Sequence, residues 1–390
     1  MINWLASCIA VAGLGTNVVL GQATMDRPLK FFSTTDQFRH SNRSENERWQ
    51  QRSAGQNSEG APWKLSHRFQ GGWEYDGNIY EKNSRRTASG SARFLLNTRG
   101  DRRSARWQAH YNYSAALQTY PNYGDENKLS HDLSGRLGVR LWPWLHLAAK
   151  AGGTLKLYLE SAADYGTTSG NVAASFSLPY HLVAELSGET GQLDYVAAIN
   201  TDDYDFTFNG VELVLRRSLL SRGSLEVMFN RRVLRYSRQA LAQDMVFELL
   251  ATAMRQRDAL TTCRLALTYG RKTLLQLALE TQANRSNSFG YDFNRWRLSG
   301  LLGFRPAPRW MLRAAGLVQN KRYRDDLSKL KPGDIDTERE QSNFLVVDLS
   351  RDLSAEISLV VRAAFYDNES IVLGKFYRKT LFFTGAEIRL

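Results

Sequence analysis

Residues 145–159 read LHLAAKAGGTLKLYL, and this stretch decides the fold. Leu145, Leu147, Ala149, Ala151, Gly153, Leu155, Leu157 and Leu159 take every second position, with His146, Ala148, Lys150, Gly152, Thr154, Lys156 and Tyr158 between them. A period of two belongs to an extended strand, whose successive side chains leave opposite faces. The run is also much longer than the five or six residues usual for a strand in a soluble protein.

The same alternation recurs outward along the chain. Leu133, Gly135, Leu137, Val139 and Leu141 alternate with polar neighbours, as do Leu275, Leu277 and Leu279, and later Ile357, Leu359, Val361, Ala363 and Phe365. Segments of this kind predict about sixteen strands, beginning near residues 64, 86, 103, 129, 144, 168, 180, 204, 222, 259, 272, 293, 309, 341, 354 and 376. Phe206 and Phe208 fall out of phase with Val211, Leu213 and Leu215, which predicts a bulge near Asn209-Gly210. Every second connection is short: 98–102, 142–144, 178–180, 218–223, 270–272, 305–309 and 351–354. The others are longer and rich in Asp, Asn, Gly and Tyr, as in the run YPNYGDEN that begins at Tyr120. Short turns on one rim and long loops on the other describe an all-β, antiparallel up-and-down sheet.

What covers the apolar face decides between a soluble sheet and a membrane wall. Strands crossing hydrocarbon need about nine to eleven tilted residues, and these strands meet that length. Their other face carries Arg93, Arg136, Arg140, Lys150, Lys156, Glu185, Glu189, Glu226, Arg264, Arg297, Arg313 and Arg362. Burying so many ions against a second sheet would cost several kcal/mol each. A water-filled interior removes that cost, and lipid on the outside requires the sheet to close into a barrel. Aromatic residues fall at the strand ends: Trp142, Trp144, Tyr180, Tyr269, Phe304 and Trp310 near the short turns. Trp73, Tyr75, Tyr111, Tyr113, Phe206, Tyr236, Phe293, Trp296, Tyr323, Phe365 and Tyr377 fall near the long loops. Two such belts are the girdles expected at the membrane interfaces.

The chain resembles bacterial outer-membrane β-barrel proteins of the porin-like superfamily over residues 63–390. Gly385, Ile388 and Leu390 in the last strand look like the C-terminal assembly signal of that superfamily, with Phe383 where a polar residue is usual and Leu390 where an aromatic is usual. The resemblance implies an integral outer-membrane location, periplasmic short turns and N- and C-termini, and exposed long loops. It implies outer-membrane lipid, lipopolysaccharide and the barrel assembly machinery as partners.

Composition agrees. The chain has 390 residues, 43% apolar and 23% charged, with a formal net charge of +12. Cys8 and Cys263 are its two cysteines, which excludes a disulfide scaffold and a Cys-rich zinc site. Beyond the N-terminus no apolar run is long enough for a transmembrane helix. Residues 1–23 read as a signal peptide, with Trp4–Ala23 nearly uncharged and Gly21-Gln22-Ala23 as its small-x-small end. Residues 24–62 read as a polar, flexible periplasmic leader and a candidate contact for a periplasmic partner.

The segment 240–257, ALAQDMVFELLATAMRQR, breaks the hairpin pattern and predicts a loop helix. Met245, Phe247, Leu249 and Leu250 would make it a constriction or a partner surface. The candidate pore-lining residues are Arg93, Arg136, Arg140, Lys150, Lys156, Glu185, Arg264, Arg297, Arg313 and Arg362.

Catalytic and cofactor chemistry find no support. The six histidines form no metal-ligand pair, and no nucleophile elbow or phosphate loop occurs. His131-Asp132 and His110 with Ser114 are isolated pairs. Basic residues are scattered around a ring and not gathered on one face, which speaks against nucleic acid. The sequence therefore predicts a channel, not an enzyme, with no cofactor and no metal. Its expected cargo is small solutes, with an anionic preference suggested by Arg136, Arg140, Lys150 and Lys156 on adjacent strands. The alternatives are the barrel of an envelope export or assembly machine (a polysaccharide or protein secretion port) and a structural or adhesive surface protein.

Overall fold

The computed structural model describes residues 62–80, 86–159, 164–195, 205–219, 222–243, 249–270, 273–325, 343–368 and 377–390. They form sixteen strands in one closed antiparallel sheet. The first eight are β1 (Lys64–Asp76), β2 (Ser89–Arg103), β3 (Trp107–Thr119), β4 (Lys128–Trp142), β5 (Leu145–Tyr158), β6 (Tyr165–Leu178), β7 (Leu182–Tyr195) and β8 (Phe206–Leu219). The rest are β9 (Gly223–Gln243), β10 (Leu249–Gly270), β11 (Leu274–Ser286), β12 (Phe293–Phe304), β13 (Trp310–Tyr323), β14 (Asn343–Asp352), β15 (Ile357–Asn368) and β16 (Tyr377–Arg389). Each strand pairs with its sequence neighbours, and β1 closes onto β16. The barrel is the one read from the alternation. The signal and leader segments, 1–61, lie outside the described residues.

The burial pattern is inverted relative to a soluble protein. Leu133, Leu137, Leu186, Leu279 and Leu298 stand exposed on the outer face, while Gln70, Glu74, Arg93, Lys156 and Asp258 are buried on the inner one. Such an outer face is stable only against hydrocarbon. No described helix is long and apolar enough to cross a membrane; the strands make the crossing. The chain is thus a closed β-barrel whose outer face suits hydrocarbon.

Three expectations require correction. Residues 98–102 are not a turn: β2 runs to Arg103, and the reversal is at Ser104–Arg106, where Ser104 N donates to Trp107 O at 2.8 Å. No bulge interrupts β8, whose register with β7 and β9 is continuous. Phe206 and Phe208 simply point inward, 7% and 1% exposed. The described parts of 240–257 are strand, not helix, with Ala242 opposite Leu250 and Leu241 opposite Ala251. Register shifts between Ala251 and Arg255, and between Arg255 and Arg257, break the period of two there, so the alternation that marks a strand is lost.

Among the described glycines, those at the closure stand nearest to neighbouring backbone. Gly72 of β1 faces Gly385 of β16. A Cβ on Gly385 would lie 2.3 Å from Gly71 O and 2.9 Å from Gly72 Cα; one on Gly72 would lie 2.2 Å from Thr384 O. The Phe383 ring, 2% exposed, lies over both glycines, within 2.8 Å of where either Cβ would be. An aromatic ring laid over a glycine pair fills the space that side chains would otherwise occupy and pins the register. Toward the short-turn rim the two chain ends lock backbone to backbone, His67 N to Leu390 O and Leu390 N to His67 O, each 2.9 Å.

Above the glycines a buried polar network fastens the same seam. Lys379 Nζ of β16 lies 2.8 Å from the Asp76 carboxylate of β1. Tyr120 Oη donates to Asp76 at 2.9 Å, and Asn78 N donates to it at 3.0 Å. Burial, reinforced by the Asp76 charge, pushes the Tyr120 phenol up, so it remains a donor. Beside it Arg93 binds Glu74 at 2.5 Å, and Gln118 donates to Glu74 at 2.8 Å.

Two stability tests follow from the seam. Gly385→Val forces the backbone of β1 and β16 apart and is expected to cost more than the about 1–3 kcal/mol usual for overpacking. It should be read as a lowered urea midpoint and loss of the fast-migrating folded band on unheated gels. Gly188→Ala, where a Cβ meets nothing within 4 Å, should leave the midpoint unchanged. Lys379→Met strands a buried carboxylate and is expected to cost about 3–5 kcal/mol. Asp76→Asn in the same chain should recover part of that loss in a double-mutant cycle.

Candidate functional site

Strand alternation places one side chain in two on the inner wall, so the lumen is built by register. All ten candidate pore residues lie on that wall: Arg93 on β2, Arg136 and Arg140 on β4, Lys150 and Lys156 on β5, Glu185 on β7, Arg264 on β10, Arg297 on β12, Arg313 on β13 and Arg362 on β15. They do not converge on one point. They ring the lumen.

Around most of the ring, charge is neutralised by a neighbour. Arg297 pairs with Glu280 across β11–β12, and Arg232 with Glu189 from β9 to β7. Arg313 and Arg362 share Oδ2 of the single Asp348 carboxylate, at 3.6 and 3.4 Å. Arg216 binds Glu226 at 2.7 Å, and Glu185 accepts from Ser175 Oγ at 2.7 Å. These contacts brace the wall.

The β4–β5 sector is different. Its inward residues include Lys128, Arg136, Arg140, His146, Lys150 and Lys156, against the single carboxylate of Asp132, which accepts from Thr154 Oγ1 at 2.8 Å. Arg136 lies directly opposite Lys150 on one side and His110 on the other. Like charges placed opposite one another across strands are destabilising, and an anion between them relieves the repulsion. Lys156 is fully buried, its Nζ 4.9 Å from the Tyr158 ring centre and 5.4 Å from that of Tyr165. Lys128 approaches Tyr158 at 5.9 Å from the other side. The aromatic faces hold these ammonium groups in place without cancelling their charge.

Two apolar patches also face inward near the long loops. One joins Leu193, Phe206, Phe208, Leu234 and Tyr236 on β7–β9; the other joins Leu317, Phe344, Val346, Ala364, Tyr366 and Leu381 on β13–β16. Strand order sets them on opposite sides of the ring. Sequence reading did not find them. Their one visible signal was the phase slip at Phe206 and Phe208, which reports inward aromatics.

The aromatic belts need adjustment for the same reason. Phe206, Tyr236, Phe293, Tyr323 and Tyr377 occupy inward registers, and Tyr111 lies beside Gly100, near the short-turn end. Trp73, Tyr75, Trp296 and Phe365 remain as the exposed outer belt on the long-loop side. Trp142, Trp144 and Tyr269 stand exposed on the other side.

Other sites singled out in the sequence are also placed. Met245 and Phe247 lie outside the described residues, while Leu249 and Leu250 belong to β10 and not to a helix. Gly385 sits at the seam, and Ile388 and Leu390 are exposed. His131 and Asp132 point to opposite faces: His131 receives or gives a hydrogen bond with Tyr113 Oη at 2.8 Å on the outside, and Asp132 faces the lumen. His110 is held by Asp101 at 3.1 Å, and Ser114 Oγ accepts from Asn97 Nδ2 at 2.8 Å. Neither pair forms a nucleophile with its base. Among the described residues, no cluster of His, Cys, Asp or Glu is arranged to hold a metal ion.

No protein-family model and no curated relative matches the chain. Solved structures do. They include Pseudomonas aeruginosa OccK2 (OpdF) in complex with glucuronate, at 12% identity and a TM-score of 0.44 over 84% of this chain and 98% of that one. A Rhodopseudomonas blastica porin mutant is similar at 10% identity and a TM-score of 0.36, over 84% and 100% of the two chains. A bacterial polysaccharide outer membrane secretin is similar at 8% identity and a TM-score of 0.42, over 84% and 98%. The likeness is one of fold alone.

Proposed function

We propose that the barrel is a passive channel for small anionic solutes, set in the outer membrane with its short turns and both termini on the periplasmic side. Sixteen strands make a ring wide enough for an aqueous lumen by the usual relation of strand number to diameter. The observation that carries the reading is the cationic strip of β4–β5, where Arg136 opposes Lys150 and Asp132 is the sole inward carboxylate. Five inward Lys and Arg side chains against one carboxylate give these two strands an excess of positive charge, which supports a positive internal field along this sector. A one-signed wall raises the local concentration of counter-ions and favours their passage.

Purified protein in planar bilayers under a salt gradient should give a reversal potential on the anion side. Arg136→Gln with Lys150→Gln should shift it toward cation permeability. Arg297→Gln with Glu280→Gln, which removes a neutral pair, should move it far less. A cation-selective wild type sinks the proposal. Orientation is tested separately in intact cells carrying the Cys263→Ser chain. Asn122→Cys on the long-loop rim should react with an impermeant maleimide, and Ala307→Cys in a short turn should not.

A further inference from the structure

The outer face of β9–β13 departs from a lipid wall near its long-loop end. Low on these strands the outward residues are apolar, as in Phe229, Leu265, Leu279 and Leu298. Higher up they become Thr261, Thr281, Asn294 and Asn320, which with Trp296 and Arg322 line a groove of about 600 Å³. On β4 and β5, at a comparable distance from the short turns, Leu133 and Leu155 take the outward positions. The groove is therefore local.

Arginines share this outer face, and one of them, Arg322, lines the groove itself. Arg231, Arg235, Arg255, Arg257, Arg285 and Arg322 are all exposed on outward registers of β9, β10, β11 and β13. Arg235 lies directly opposite Arg257, two like charges in one cross-strand pair. None of the six has an ion-pair partner among the described residues, and no outward described residue of β9–β13 is a carboxylate. The exposed belt residue Trp296 lies within the groove, which puts these cations at headgroup level and not in hydrocarbon. Six exposed guanidinium groups on one face, with no carboxylate partner among the described residues, suit an anionic ligand. Planar, forked donors match phosphate oxygens best.

We infer that this face is a binding site for a phosphorylated glycolipid of the outer leaflet, of the lipid A class. Its phosphates engage the arginines, its sugar backbone lies against Thr261, Thr281, Asn294 and Asn320, and its acyl chains run down over Phe229, Leu265 and Leu279. A second copy of this chain would bring its own arginines to the same face and repel, so a homotypic contact is disfavoured. The site rests on the orientation proposed above, with long loops outermost; the maleimide labelling reads orientation and the binding assay below reads affinity, so the two fail independently.

The test uses the full chain in neutral detergent micelles, titrated with bisphosphorylated lipid A or with the same lipid after removal of both phosphates. Binding is read by native mass spectrometry and by the thermal midpoint. The bisphosphorylated lipid should bind and raise the midpoint, and the dephosphorylated one should not. Arg231→Gln, Arg285→Gln and Arg322→Gln together should weaken binding by about tenfold or more. An equal charge loss on the short-turn rim, Arg102→Gln, Arg217→Gln and Arg351→Gln, should leave it intact and shows that the effect is not one of net charge. Equal binding of the two lipids overturns the site, as does an unaffected groove variant. So does a dimer or trimer that the groove variant dissociates without any lipid dependence.

Discussion

A strand in hydrocarbon has nowhere to send its backbone hydrogen bonds except to another strand, and everything else in this molecule depends on that constraint. Fifteen of the junctions form between strands adjacent in sequence, where the connecting turn or loop keeps the partners close. The sixteenth must join the two ends of the barrel. It does so where Gly72 meets Gly385 under the Phe383 ring, with Asp76, Lys379 and Tyr120 fastening the seam above. Glycine is required there by close approach of two backbones. Phe383, anomalous as a lumen-facing residue in a terminal strand, is explained by the space those glycines leave.

Closure in turn divides the molecule into two environments with opposite rules for charge. The inner face carries polar and charged side chains spaced around the wall, which an aqueous interior would make inexpensive. Where acid and base adjoin, as in Arg297 with Glu280 or Arg232 with Glu189, they stiffen the sheet. Where bases adjoin bases, as in Arg136 opposite Lys150, the sheet places like charges side by side on its inner face. Outside, hydrocarbon excludes charge except near the headgroups. The outward arginines of β9–β13 lie toward the long-loop end of their strands, where Arg322 shares a groove with Trp296 and Arg235 stands opposite Arg257.

The alternation over 145–159 was enough to recover a strand, and its repetition recovered sixteen of them, most beginning within a few residues of the observed starts. The sides of the wall were legible as well, because a period of two assigns faces without knowledge of any partner. Reading failed where that period was interrupted. Near Arg255 two register shifts scramble the alternation, and Met245, Leu249 and Ala253 fall at spacings that a helix shares. At Phe206 and Phe208 an assumption that large apolar residues face lipid produced a bulge that is absent, since those rings line the mouth of the lumen.

Local chemistry along the chain thus determined that this is a barrel wall, how many staves it has and which residues each presents inward, because each of these follows from one strand at a time. Register across strands decided the rest. That Arg136 opposes Lys150 while Arg297 finds Glu280, that Gly72 meets Gly385, and that Arg235 opposes Arg257 are facts about neighbours apart in sequence. Such pairings depend on how far each strand slides past the next, a distance set by turn lengths and the shear of the closed ring, and no single strand encodes it.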